Sequence, residues 1–110
     1  MIFVIGPAMS GKKQYIMKEL ALDEAEWERV AMSGVQELVR EKMSEAEIKR
    51  IASELCRKRV VIADEVGSGV VPVEESERIF REQAGRLCIM LAEHAEQVIR
   101  VVCGIPQRLQ

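Results

Sequence analysis

Three stretches of the chain are predominantly apolar: Ile2–Ile5, Val60–Ala63 and Val98–Cys103. A short run that is apolar on both faces fits a strand buried inside a parallel sheet. The intervening segments carry helical spacing instead. A helix is expected over Gly11–Leu22 with Tyr15, Ile16 and Leu20 inward, and another over Val35–Met43 with Val35, Leu38 and Val39 inward. Ser44 opens a clearer one. Ser44 and Glu47 form the sequence signature of a capping box. Ile48, Ile51, Ala52, Leu55 and Cys56 then recur at three-four spacing, and Arg57, Lys58 and Arg59 suit the negative C-terminal end. The longest helix is predicted over Glu74–Glu96, with the stripe Ile79, Phe80, Ala84, Leu87, Cys88, Leu91 and Ala95. Trp27–Met32 fits either a short strand or the end of a helix. Gly67, Gly69 and Pro72 punctuate a loop, and Gly104–Gln110 reads as a tail. Strands separated by helices imply an α/β fold: a parallel sheet of about three or four strands with helices on both faces.

Composition narrows the classes. With 48% hydrophobic and 31% charged residues over 110 positions, residues 1–110 are expected to form a single globular domain. The net charge of −2, with acids and bases interspersed, gives no basic stripe for nucleic acid. Cys56, Cys88 and Cys103 are too few and too widely spaced for a disulfide framework or a zinc site, and are expected to be buried thiols in a reducing compartment. The start Met-Ile-Phe-Val-Ile-Gly lacks a basic leader, and no run approaches the ~18 apolar residues of a membrane span. The expected location is the cytoplasm.

The first chemical signal is Gly6-Pro7-Ala8-Met9-Ser10-Gly11-Lys12-Lys13, a GxxxxGK pattern between a predicted strand and a predicted helix. That is the setting of a P-loop, whose glycines let backbone N–H groups turn toward a phosphate while the helix adds its positive end. Gly6, Ala8, Met9, Ser10, Gly11, Lys12 and Lys13 are the candidate nucleotide-binding residues, with Lys12 reaching the β- and γ-phosphates. The fold expectation sharpens to a P-loop NTPase-like, RecA-like sheet. P-loops place Ser or Thr after the lysine as a Mg²⁺ ligand. Lys13 stands there instead, and an ammonium repels a metal but can neutralise phosphate. Ser10 is the one hydroxyl in the loop.

Asp64-Glu65 directly follows the second strand, at the carboxyl end where open α/β sheets bind ligands. The pair resembles a Walker B segment, with Asp64 as candidate Mg²⁺ carboxylate and Glu65 orienting a nucleophile. Two loop carboxylates capping a neighbouring helix would look the same. Arg78, Arg81 and Arg86 on the long helix suit phosphate, or equally a solvated face paired with Glu74, Glu75, Glu77 and Glu82. His94, the single histidine, lies late on that helix without a catalytic partner pattern, and Trp27 is expected in the core.

Several of these pieces resemble one family in order. Asp64-Glu65-Val66-Gly67-Ser68-Gly69-Val70-Val71-Pro72, then Arg78-Ile79-Phe80-Arg81-Glu82-Gln83-Ala84-Gly85-Arg86, then Ala95-Glu96, Val98–Val102, Gly104 and Pro106, follow the closing motifs of adenosylcobinamide kinase/adenosylcobinamide-phosphate guanylyltransferases. Residues 2–12 match that family's first strand and Walker A loop. The chain is similar to a shortened, divergent member. Asp64 stands where the family has Asn, and Ala31-Met32-Ser33-Gly34 where it has Asp-Cys-Leu-Thr. Cys88-Ile89 replaces Asn-Gln.

The resemblance implies a nucleotide-binding enzyme of cobalamin biosynthesis that moves the γ-phosphoryl of ATP or GTP to adenosylcobinamide. Lys12, Asp64 and Glu65 would carry the transfer and Asp64 would hold Mg²⁺. It implies a homo-oligomer, commonly a trimer. No histidine precedes His94, so the histidine that the family guanylylates is missing and the guanylyltransferase half-reaction is expected to be absent. Two other readings stay open: a degenerate protein that binds nucleotide or corrinoid without catalysis, and a P-loop NTPase with an unrelated substrate.

Overall fold

The computed structural model describes residues 1–66 and 73–110. Strands β1 (Ile2–Gly6), β2 (Ala31–Met32), β3 (Val60–Asp64), β4 (Gln97–Val102) and β5 (Ile105–Arg108) form one sheet in the order β2-β3-β1-β4-β5. The first four are parallel and β5 runs antiparallel to β4. Helices α1 (Lys12–Glu19), α2 (Glu24–Val30), α3 (Glu45–Leu55) and α4 (Glu75–His94) and a 3₁₀ turn (Val35–Val39) cover it.

The consecutive apolar runs work as both-face strands. Phe3, Val61, Ala63 and Val98 pack with the 3₁₀ turn, α3 and α4 on one face. Their neighbours Val4, Val60, Ile62, Ile99 and Val101 pack with Ile16 of α1 and Trp27 of α2 on the other. Alternation with period two sends successive side chains to opposite layers. The α/β class and the flanking helices are therefore as the pattern implied.

Among the described residues the strand count is five, not about three or four. Gly104–Gln110 is not a plain tail: β5 pairs with β4 through a two-residue turn, Cys103-Gly104, with φ of 51° and 73°. Positive φ at both positions matches a type I′ turn, whose twist suits a hairpin. All four β5 residues are exposed, so no apolar pattern marks the strand, and Pro106 is tolerated at a sheet edge. Trp27–Met32 holds both of its possible states, since α2 runs to Val30 and β2 begins at Ala31.

The helix predicted over Gly11–Leu22 stops at Glu19, and Ala21 turns left-handed at φ 53°. Asp23 then caps α2 reciprocally with Glu26, at 2.8 Å from the Glu26 N–H and 3.3 Å for the return bond. The helix expected over Val35–Met43 is only the 3₁₀ turn. Gln83 donates to the carbonyls of Val39 (2.9 Å) and Glu41 (2.8 Å) and accepts from the Met43 N–H (2.9 Å), occupying backbone groups that a longer helix would use. Ser44 caps α3 as expected, accepting from the Glu47 N–H at 3.2 Å.

The cysteines correct a further expectation. Cys56 and Cys88 are only partly buried, and Cys103 is exposed because it sits in the hairpin turn. Trp27 is buried. Among the described residues no helix is long and apolar enough to cross a membrane. The glycine loop predicted over 67–72 lies outside the described residues.

Candidate functional site

β1 ends at Gly6, a position where no side chain fits: a Cβ would stand 2.2 Å from the Val101 carbonyl oxygen on β4. The chain then loops outward through Met9, exposed with φ 58°, and re-enters at Gly11, φ 86°, the N-cap of α1. Ala8 is likewise exposed. The hairpin turn braces the return limb, its Gly104 N–H donating to the Ser10 carbonyl at 2.7 Å. The loop is thus gripped by β4 and by the β4–β5 turn.

Lys12 begins α1 but turns back under the loop, 6% exposed. Its ammonium lies 2.8 Å from Asp64 Oδ1 and donates to the Pro7 carbonyl at 2.5 Å. The Gly6 carbonyl (3.3 Å) and Ser10 Oγ (3.5 Å) complete a cage of oxygens. A buried ammonium needs such compensation. The pair with Asp64 follows from the sheet. Gly6 and Asp64 are register partners, so the start of the loop and the end of β3 are adjacent.

Alternation separates the two carboxylates that the sequence places side by side. Asp64 shares the parity of Ile62 and meets Lys12. Glu65 shares the parity of Ala63 and meets Arg100 of β4, with Arg100 Nε at 2.5 Å from Oε1 and Nη2 at 3.0 Å from Oε2. This fork-to-fork bond holds the Glu65 carboxyl below its ordinary range, and Lys12 adds a smaller effect in the same direction against the cost of burial. The main chain of Glu65 stays on β1, its N–H donating to the Gly6 carbonyl at 2.8 Å.

Gln36 completes the surroundings of Asp64. Its Oε1 accepts the Asp64 backbone N–H at 3.0 Å and its Nε2 donates to Asp64 Oδ2 at 3.4 Å. A cavity of about 360 Å³ opens between residues 9–14 and Ser33, Gly34, Ile62 and Asp64. It therefore brings together Met9, Ser10, Gly11, Lys12, Lys13 and Asp64 of the predicted set. Lys13 borders this space, but its ammonium lies 3.3 Å from Glu24 Oε2 and 5.5 Å from the centre of the Trp27 ring. A larger hollow of about 460 Å³ between α3 and α4 contains His94, Cys56 and Lys49 but none of the loop residues.

The other predicted groups take ordinary positions. Arg86 pairs with Glu82 at 2.7 Å, Arg78 donates to the Val73 carbonyl at 2.6 Å, and His94 Nδ1 contacts the Met90 carbonyl at 2.8 Å. Among the described residues no three His, Cys, Asp or Glu side chains group as a metal centre. One carboxylate on the wall of the loop cavity still suits Mg²⁺, which is commonly held by one or two carboxylates plus substrate phosphates. Two participants were missed from sequence. Arg100 had a visible signal, a charge interrupting Val98-Ile99-Arg100-Val101-Val102, which calls for a carboxylate partner. Gln36 had none, because its burial exists only in the folded chain.

Residues 16–109 match the model of the CobU family, cobinamide kinase/cobinamide phosphate guanyltransferase. The chain is 35% identical over 89 residues to the bifunctional adenosylcobalamin biosynthesis protein CobU of Salmonella typhimurium, covering 80% of this chain and 46% of that protein. It is 36% identical over 91 residues to the protein of the same name from Escherichia coli, with the same coverage of 80% and 46%. The chain thus spans about half the length of these curated relatives. The family match begins inside α1, so the glycine loop is read from its own residues and geometry.

Proposed function

Because the chain belongs to the cobinamide kinase/cobinamide phosphate guanyltransferase family, we propose that residues 6–13 hold the phosphates of ATP or GTP and that the protein transfers the γ-phosphoryl to the hydroxyl of adenosylcobinamide. One observation carries this reading: the buried Lys12 ammonium 2.8 Å from Asp64 on the wall of the loop cavity. Lys12 offsets charge on the β- and γ-phosphates. The acceptor oxygen bonds to the γ-phosphorus as the bond to the β–γ bridging oxygen breaks; the nucleoside diphosphate leaves with that oxygen, and the hydroxyl proton passes to solvent water. Little covalent help is needed in such a loose transition state, so positioning and charge neutralisation dominate. Asp64 is the residue that would hold Mg²⁺, and the ion would supply charge neutralisation at the phosphates. Glu65, already locked by Arg100 and held ionised, fits an orienting role better than that of a proton acceptor.

These residues are proposed to lack the guanylyltransferase half-reaction. The single histidine faces the α3–α4 hollow, not the loop cavity. The resemblance also leads us to expect a homotrimer, which sedimentation would read directly. A second reading, nucleotide binding without catalysis, is favoured by Lys13 in place of the usual metal-binding hydroxyl. Titration calorimetry with ATP and GTP, with and without Mg²⁺, separates the two. Binding strengthened by Mg²⁺, together with phosphorylation of cobinamide, supports the kinase; binding indifferent to Mg²⁺ supports the non-catalytic protein.

A further inference from the structure

Four polar or charged side chains are buried among the described residues: Ser10, Lys12, Gln36 and Gln83. Ser10 and Lys12 belong to the loop, and Gln83 ties down the backbone of residues 39–43. Gln36 is different. It is 6% exposed, and both ends of its amide go to one residue, Asp64. The orientation of the amide is settled by chemistry. The Asp64 N–H can only donate, so it takes the carbonyl oxygen, which leaves the NH₂ facing the carboxylate; a flipped amide would set donor against donor and oxygen against oxygen.

The turn that carries Gln36 is rigidly placed. Val35 and Val39 on either side of it are fully buried, and it begins at Gly34, φ 65°, which itself lines the loop cavity. An aliphatic side chain would fill the same interior without desolvating an amide, a cost offset here only by the bonds to Asp64. The amide is also neutral. It engages Oδ2 without itself neutralising the Asp64 charge, which is paired through Oδ1 with Lys12. A lysine or arginine at position 36 would have spent that charge.

We propose that Gln36 is a positioning residue that fixes the Asp64 carboxylate with Oδ1 toward the phosphates, and so sets how strongly Mg²⁺ enhances nucleotide binding. The inference rests on the reading of Asp64 as the Mg²⁺-holding group. The test is calorimetric titration with ATP, in EDTA and in excess Mg²⁺, for the wild type, Gln36→Met and Asp64→Asn. Gln36→Met keeps the side-chain length but makes neither bond. It is expected to bind ATP in EDTA like the wild type and to lose about ten-fold of the Mg²⁺-dependent gain, the scale of one hydrogen bond to a charged group. A merely structural role would weaken both titrations together, or neither. If Gln36→Met keeps the whole gain while Asp64→Asn loses it, the positioning role is overturned and the reading of Asp64 stands. If Asp64→Asn keeps the gain, or the wild type shows none, the reading of Asp64 falls and the role of Gln36 falls with it. Should Gln36→Met fail to fold, the side-chain amide resonances of Gln36 in the wild type give the answer. They are expected to shift when Mg²⁺ is added to the ATP-bound protein, and unmoved resonances overturn the proposal.

Discussion

The ammonium of Lys12 and the carboxylate of Asp64, 52 positions apart in the chain, stand 2.8 Å from each other beneath the glycine loop. Each compensates the other in the ligand-free protein. A bound phosphate would compete with Asp64 for Lys12, and release of Asp64 would make its Oδ1 available to a cation. Lys12→Ala is expected to weaken nucleotide binding by about ten- to a hundred-fold, the scale of hydrogen bonds to a charged group. Calorimetry on the folded variant checks this, and wild-type affinity would remove Lys12 from the site.

Gly6→Ala should destabilise the protein even though it adds one methyl group. The new Cβ would sit 2.2 Å from the Val101 carbonyl oxygen, a backbone atom that cannot swing aside. Separation of β1 from β4 is the only relief, at a cost of about 1–3 kcal/mol for overpacking. A thermal melt reads it as a loss of several degrees. An unchanged melting temperature would contradict the close approach.

Gln83→Leu removes an amide that serves two carbonyls and one N–H of the 39–43 segment. Leaving buried backbone groups without partners costs about 1–3 kcal/mol each when water cannot reach them. Hydrogen exchange should accelerate at Met43, whose N–H loses its acceptor, while β1 and β3 keep their protection.

The Glu65–Arg100 pair predicts an acid-side loss of stability. Arg100 lowers the Glu65 carboxyl below its ordinary 4.5, so the folded state favours the ionised form. The contribution is complete above that ordinary value and disappears as pH falls through the lower folded value. Arg100→Gln should therefore be less stable than the wild type at neutral pH, and the gap should close as Glu65 protonates in strong acid. Denaturant midpoints measured from neutral pH downward test the sign. A gap that widens on acidification would contradict it.

The three thiols should react in the order of their surroundings. Cys103 is exposed in the hairpin turn, whereas burial pushes the Cys88 thiol up to about 11. At mildly alkaline pH an alkylating reagent should therefore modify Cys103 first and Cys88 last, because the thiolate is the reactive form. Mass mapping of partially alkylated protein gives the order.

Much of this architecture is written in short-range patterns. Apolar runs mark Ile2–Ile5, Val60–Ala63 and, with Arg100 as its one charged interruption, Val98–Cys103 as strands covered on both faces, and the glycine–lysine spacing of residues 6–12 marks the turn between the first strand and its helix. Ser44 with Glu47 marks the start of α3. Such signals survive because period, capping and turn chemistry act between residues a few positions apart. β5 escaped notice for the complementary reason. It is an exposed edge strand held by backbone bonds to β4 and carries no apolar alternation.

The sequence alone determined the α/β class, the phosphate-loop pattern, the family resemblance and the position of Asp64-Glu65 at the end of a buried strand. Only the tertiary structure decided what each carboxylate does. Asp64 turns to Lys12 and Gln36, while its neighbour Glu65 turns away to Arg100. Adjacent residues on a strand project to opposite faces, and which face holds the loop depends on where α1 packs and on the register Gly6↔Asp64. That register is a non-local pairing, set by the burial of two core layers at once, and no local spacing encodes it. The same holds for Gln36, an unremarkable polar residue until Val35 and Val39 bury the turn and aim its amide at the site.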